Sequence, residues 1–237
     1  MESFIWSRNA KPDALHFLLA VYFAFGFVAA RFFLDKFIFR RLAIWLLSKG
    51  SGPLKMNEAT QAKIVKCSES MWKLAYYATV ETCVLRITYY EPWFRDTKEY
   101  FRGWPDQELK FFRIGTIILA LHDASDVFME AAKVFKYSER ELGASVFFGL
   151  FAISWLLLRL IFFPFWVIKT SSYDVREYLN LSESYPRFLY YVCNTLLLML
   201  LVFHVYWWVL ICSMISRQLN NRGKVGEDIR SDSEDDD

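Results

Sequence analysis

Long apolar runs separated by short polar segments dominate this chain. Residues 14–34 form the first run, and residues 142–168 and 188–216 form two more. Each is long enough to cross a bilayer, because a transmembrane helix takes about 20 apolar residues. Residues 71–90 and 111–135 are weaker candidates, since charged side chains stand among their apolar ones. The pattern therefore predicts an all-α, polytopic membrane helical bundle with about five spans.

Composition agrees with a membrane protein. Hydrophobic residues make up 55% of the 237, and aromatic residues 19%, more than one soluble core of this size requires. A cleaved signal peptide is the alternative for the first run. The apolar stretch continues past Ala30 without a polar region, so we expect the run to stay as a span.

The distribution of basic residues predicts the orientation. Two basic residues precede the first run, whereas five stand at its end or after it before residue 50: Arg31, Lys36, Arg40, Arg41 and Lys49. Basic loops face the cytosol, so the amino terminus is predicted to be lumenal and, after five spans, the carboxyl terminus cytosolic. Residues 169–187 would then be lumenal, and they contain the chain's single N-x-S/T sequon, at Asn180.

Three regions follow from this reading. Residues 1–70 comprise the lumenal amino terminus, the first span and a cytosolic loop with a turn signal at residues 50–53; residues 71–216 form the membrane domain, and residues 217–237 an acidic tail. Residues 227–237 hold seven acids and one arginine, which leaves 27 basic against 19 acidic residues on the body. A body with a formal charge of +8 suits anionic headgroups. In the tail, Ser231 and Ser233 each have an acid three residues later, which predicts an acid-directed kinase site; an unmodified, solvated tail is the alternative.

The four cysteines and three histidines show no metal-ligand spacing. No zinc site or disulfide framework is predicted, and nothing in the pattern suggests binding to nucleic acid.

The run from residue 111 carries the candidate chemistry. In a helix, His122, Asp126 and Glu130 lie four residues apart on one stripe, with Asp123 beside it. Ionisable groups at this depth cost about 2.5 to 3.5 kcal/mol each, so they usually line a polar cavity or take part in chemistry. Carboxylates on the stripe could hold the imidazole in one tautomer and make it a base toward an amine or hydroxyl. The alternative is an interfacial loop that caps a helix beginning near Ser125.

Three further residues leave alternatives open. His204 lies in another apolar run, where a packing histidine competes with a site residue. His16 is most simply interfacial. Pro164 suggests a kink in its span, which could open room for an acyl chain or only relieve packing.

The strings LHDASDVFME (121–130) and LLVFHVYWWVLI (200–211) resemble the plant ceramide synthases, the longevity-assurance group with a TLC domain. ESMWKLAYY (69–77), EPWF (91–94) and the acidic tail add to the resemblance, which extends over nearly the whole chain. It implies a multispan enzyme of the endoplasmic reticulum that transfers a fatty acyl group from acyl-CoA to the amine of a sphingoid base.

The resemblance also implies roles. His122, Asp123 and Asp126 match the family's catalytic motif, and His204 its terminal-span motif; we assign substrate binding to His204 and Glu130. Acyl-CoA is a co-substrate and no cofactor is expected. Membrane lipid and a second ceramide synthase chain, in a homo- or heterodimer, are the expected partners. The CoA phosphates would approach basic groups such as Lys36, Arg40, Arg41 or Lys133.

One departure from the family affects this prediction. The family carries further spans and an adjacent His-His pair in a segment that residues 108–110 replace here, and this sequence has no His-His dipeptide. An internal deletion would explain the gap. Two hypotheses follow: an acyltransferase in which His122 completes the chemistry, or a chain with little activity that regulates a full-length synthase.

Overall fold

The computed structural model describes residues 14–48, 56–100, 111–178, 182 and 184–220. Every regular element in these ranges is helical, which confirms the all-α prediction. Several predicted features lie outside them: the turn at residues 50–53, the junction at residues 108–110, Asn180, Ser231 and Ser233.

The first apolar run forms helix α1, Ala14–Leu34, with the bounds predicted. A π-helical segment, π1 (Asp35–Phe39), continues it into α2, Arg40–Ser48. The sequence predicts no helix at residues 35–48, which are helical here; their place in the cytosol stays a prediction. Helix formation there buries Ala43 and Leu47 against the next helix, a gain that a loop would forgo.

Helix α3, Glu58–Thr88, begins thirteen residues earlier than the predicted span. Its start is fixed by Asn57, whose Oδ1 accepts a hydrogen bond from the Thr60 amide at 2.9 Å and another from the Thr60 hydroxyl at 2.6 Å. The side chain of Asp35 accepts a hydrogen bond from Ser68 and pairs with Arg40 at 3.3 Å. The bond from Ser68 connects π1 to α3.

The remaining helices form the membrane domain. Two short helices, α4 (Pro92–Arg95) and a 3₁₀ turn (Thr97–Tyr100), precede α5, Phe111–Tyr137. Next come α6 (Glu141–Trp155), π2 (Leu156–Ile168) and α7 (Lys169–Ser172), which form one continuous helix that we call helix 141–172. A 3₁₀ turn, Asp174–Glu177, leads to α8, Ser184–Asn220. Helix α5 packs along α3 and along α6, so its polar stripe lies inside the bundle.

By length and composition, three of the described helices can cross a membrane: Phe17–Ser48, Glu141–Glu177 and Pro186–Asn220. Helices α3 and α5 have 31 and 27 residues, and both exceed the length that a span needs. They carry more charged side chains. The chain is thus a multi-pass membrane protein, and the count of five spans stays a prediction.

Pro164 lies within π2 and does not end the helix. At the end of π2, the amide of Lys169 donates to the carbonyl of Pro164, five residues back, which is the π-helical pattern. Pro164 itself has no amide hydrogen, so it cannot donate in either an α-helical or a π-helical pattern of backbone hydrogen bonds.

Three apolar clusters form the core. One, around Phe163, joins α5, π2 and α8; another, around Trp155, joins α5, α6 and α8; the third joins α2 to α3. Cys67 belongs to the third cluster. Burial raises the pKa of its thiol to about 11, so this thiol stays protonated at neutral pH.

Gly143 allows α5 and α6 to approach closely. A Cβ placed there would lie 2.5 Å from Cδ1 of Phe135, and that ring stacks on Phe147 with centroids 5.1 Å apart. We expect Gly143→Ala to lower the free energy of unfolding by about 1 to 3 kcal/mol, through overpacking. Gly149→Ala is the matched control, because no described atom lies within 4 Å of its Cβ position. Thermal unfolding in detergent micelles checks both, and equal melting temperatures would contradict the packing described.

Candidate functional site

Two histidines 82 residues apart in sequence meet in the membrane domain. The Nε2 atoms of His122, on α5, and His204, on α8, lie 2.8 Å apart. Their ring centroids are 4.8 Å apart. His204 is 2% exposed and His122 is half-buried. A contact this short between two ring nitrogens is a hydrogen bond that holds one proton.

The tautomer of His122 follows from its other ring nitrogen. Nδ1 lies 2.6 Å from the carbonyl oxygen of Ile118, and a carbonyl only accepts, so Nδ1 carries the hydrogen. When both rings are neutral, Nε2 of His122 therefore carries no hydrogen. Its lone pair accepts a hydrogen bond from Nε2–H of His204. Nδ1 of His204 is buried and has no hydrogen-bond partner among the described residues. The site thus presents a basic nitrogen whose only donor is another imidazole.

Aromatic side chains of helix 141–172 surround the pair. The ring of Phe163 is fully buried, with its centroid 6.2 Å from that of His122 and 4.9 Å from that of His204. The indole Nε1 of Trp155 donates to the carbonyl oxygen of His204 at 3.3 Å. This apolar wall keeps water from one side of both imidazoles.

A buried arginine braces the α5 side of the site. Arg159 is 7% exposed, and its Nη2 donates to the carbonyl oxygen of His122 and to Oδ1 of Asp126, both at 2.9 Å. Its Nε donates to Oγ of Ser125 at 3.0 Å. The Ser125 hydroxyl in turn donates to the carbonyl oxygen of His122 at 2.9 Å. The guanidinium carbon lies 3.9 Å from the centroid of the Trp155 ring, a stacking distance.

The predicted carboxylates fall in different places. Asp126 pairs with Arg159, and it is the carbonyl of Ile118, not a carboxylate, that sets the His122 tautomer. Glu130 is 2% exposed; Oε1 accepts from Lys133 at 3.1 Å, and Oε2 has no partner among the described residues. Asp123 is partly buried and does not accept from the arginine.

The structure decides one of the alternatives. The motif lies in the middle of α5, which runs unbroken from Phe111 to Tyr137. The alternative of a helix beginning near Ser125 is therefore wrong. Ser125 is fully buried and bonds to Arg159 and to the carbonyl of His122, which a solvent-exposed N-cap could not do.

Arg159 is the residue that sequence reasoning missed. It is the one charged residue in the apolar run from 142 to 168. An isolated arginine at that depth is costly and marks a site as clearly as the histidine and aspartates of α5 do. The same criterion, applied to residues 142–168, would have found it.

Comparisons with known proteins agree with this architecture. Residues 109–213 match the TLC domain family; these residues include both histidines and Arg159. Ceramide synthase LOH2 of Arabidopsis thaliana is 54% identical, with 100% of both chains covered. ASC1-like protein 3 of Oryza sativa subsp. japonica is 50% identical, over 94% of this chain and 98% of its own. Ceramide synthase 4 of Mus musculus is 42% identical over 54% of this chain and 31% of its own.

Fold and site thus define a helical, multi-pass membrane protein with a TLC domain. The chain belongs to the longevity-assurance family of ceramide synthases, as the full-length matches show.

The chain lacks part of the sequence that its full-length relative contains. The match to LOH2 runs over 296 positions and takes in all of this chain, which has 237 residues; the difference, 59 positions, has no counterpart here. That the shortening occurs at residues 108–110 stays a prediction.

Proposed function

We propose that this chain is a sphingoid-base N-acyltransferase, a ceramide synthase that makes ceramide or dihydroceramide from acyl-CoA and a long-chain base. The observation that carries the proposal is the hydrogen bond between Nε2 of His122 and Nε2 of His204 inside the TLC domain. Full-length relatives named as ceramide synthases support the reaction type.

The basic nitrogen of His122 does the chemistry in this proposal. Amine acylation forms a C–N bond, breaks the C–S bond of the thioester, and moves a proton from the amine toward the leaving thiolate. Nε2 of His122 can take that proton, or can take the acyl group first and pass it to the amine; both require its lone pair. Substrate displaces the His204 N–H, which becomes free to donate to the oxygen of the reacting carbonyl.

The other predicted site residues take distinct roles. Asp126 is held by Arg159, and through it stabilises the arrangement of α5 around His122. Asp123, one residue from His122 and without that pairing, is the carboxylate available to the amine of the sphingoid base. Glu130 has a buried oxygen without a partner among the described residues, and it fits a polar group of substrate further along the stripe.

Binding energy comes largely from the two hydrocarbon tails. Each buried methylene contributes about 0.8 kcal/mol. Acyl-CoA is the co-substrate in this proposal, and its phosphates need basic groups at the cytosolic face. Of the predicted candidates, Arg40 pairs with Asp35 and Lys133 with Glu130, so these two would have to exchange partners to bind CoA. Lys36 lies over the Phe37 ring.

The proximity of His122 and His204 changes what the missing His-His dipeptide implies. Two imidazoles are brought together by tertiary structure, without being adjacent in sequence. Nothing observed in the described part of the chain favours the regulatory alternative. The hypothesis that the shortened chain has little activity is tested by the same assay as the proposal.

We expect purified chain in lipid nanodiscs to acylate sphinganine from acyl-CoA. His122→Ala should lower kcat at least about 100-fold, because general base or nucleophile is lost. His204→Phe keeps the ring volume and loses the N–H; we expect about a 10-fold decrease. His16→Ala, the third histidine, is the matched control and should stay within twofold. Turnover that His122→Ala leaves intact would contradict the assignment, and no turnover by any version would contradict the function.

The location follows from the same proposal. We place the chain in the endoplasmic reticulum membrane with its amino terminus in the lumen, its tail in the cytosol, and a second synthase chain as partner. Arg31 at the end of the first span and the four basic residues after it support this orientation. In the cytosol, Ser231 and Ser233 would be open to an acid-directed kinase.

Protease protection tests the orientation. In microsomes, an epitope added after residue 237 should be digested without detergent, and one added before residue 1 should be protected. Glycosylation at Asn180 would support the lumenal placement of its loop. Protection of the carboxyl-terminal epitope would contradict the orientation.

A further inference from the structure

We propose that Arg159 is a positioning residue for acyl transfer, which fixes the main chain at His122 so that its imidazole meets His204. This inference rests on the proposed function of the site.

The first argument is the pattern of bonds. Arg159 Nη2 and the Ser125 hydroxyl both donate to the carbonyl oxygen of His122, and Arg159 Nε donates to the same hydroxyl. Arginine, serine and carbonyl thus form a closed ring of hydrogen bonds around one peptide group. The Ser125 hydroxyl accepts from the arginine and donates to the carbonyl, so these two consecutive bonds strengthen each other.

The second argument is that one face of helix 141–172 holds both histidines. Trp155, Arg159 and Phe163 are spaced four apart. Trp155 donates to the main-chain carbonyl of His204, Arg159 donates to that of His122, and Phe163 packs on both rings. Since Trp155 also stacks on the guanidinium of Arg159, movement of one anchor is passed to the other.

The third argument is the chemistry of the side chain. A planar guanidinium can donate through Nε and Nη2 to two oxygens at a fixed angle, which an ammonium cannot do. The ion pair with Asp126 uses the same nitrogen as the bond to His122. A buried ion pair is by itself weak support for stability. The pair here instead holds the guanidinium where it bonds to the His122 carbonyl. That position matters for the rate, because a shift of about 1 Å in a reacting group can lower a rate about 100-fold.

Substitutions separate placement from charge. Arg159→Lys keeps the charge and loses the planar pair of donors, Nε and Nη2. We expect about a 10-fold lower kcat, with KM for both substrates within twofold. Arg159→Met keeps much of the stem and should lower kcat about 100-fold. Ser125→Ala removes only one member of the ring and should lower kcat about fivefold. Arg176→Met is the matched control, since Arg176 also bonds to a side-chain oxygen and lies over an aromatic ring, that of Tyr190, and should stay within twofold.

Folding is controlled by thermal unfolding and gel filtration of each variant. If Arg159→Met fails to fold, Arg159→Lys and Ser125→Ala decide the question. Normal kcat in both would overturn the proposal. A rise in KM with kcat unchanged would also overturn it, since that result assigns Arg159 to substrate binding.

A second readout does not depend on turnover. Diethylpyrocarbonate acylates a free imidazole nitrogen, and peptide mass spectrometry can follow each of the three histidines separately. Because Nε2 of His122 is hydrogen-bonded to His204, we expect Arg159→Lys to speed modification of His122 at least fivefold relative to His16. If the unsubstituted chain proves inactive, the proposed function fails and this rate still tests placement. An unchanged rate at His122 would contradict the positioning role.

Discussion

The hydrogen bond between the imidazoles of His122 and His204, 2.8 Å long, is the interaction on which the rest of the site depends. It joins α5 to α8 inside the bundle, where His204 is 2% exposed and a buried polar group without a partner is costly. One imidazole can serve as donor only if the other keeps a lone pair, and the Ile118 carbonyl decides which does. The backbone carbonyl of Ile118 thereby fixes which ring nitrogen of His122 carries the hydrogen.

Helix 141–172 acts as the frame for this pair. Its tryptophan, arginine and phenylalanine contact the main chain or the ring of the two histidines. The base on α5 and the donor on α8 are therefore positioned by the same helix. The guanidinium is tolerated in an apolar helix because Ser125, Asp126 and a carbonyl satisfy it and because the Trp155 ring covers its face. Each of these hydrogen bonds lowers the free-energy cost of burying the polar groups that it joins.

The sequence was sufficient for the elements whose signal is local. The uninterrupted apolar run fixed the bounds of α1, and the helical spacing of His122, Asp126 and Glu130 placed one stripe correctly on α5. Contacts between distant segments were out of reach: nothing in LLVFHVYWWVLI shows that His204 meets His122, since a packing histidine has the same neighbours in sequence. The sequence predicts no helix at residues 35–48, because the charged residues there interrupt the short apolar face that packs on α3. Arg159 could have been predicted as a site residue, because an isolated charge in an apolar run is costly.

Solid-state NMR on chain labelled with ¹⁵N only at histidine, in lipid bilayers, tests the central claim most directly. With three histidines in the sequence, each ring nitrogen can be assigned. We expect a ¹⁵N–¹⁵N coupling across a hydrogen bond between Nε2 of His122 and Nε2 of His204, and a hydrogen on Nδ1 of His122. Three uncoupled imidazoles, or a hydrogen on Nε2 of His122 in the neutral pair, would contradict it.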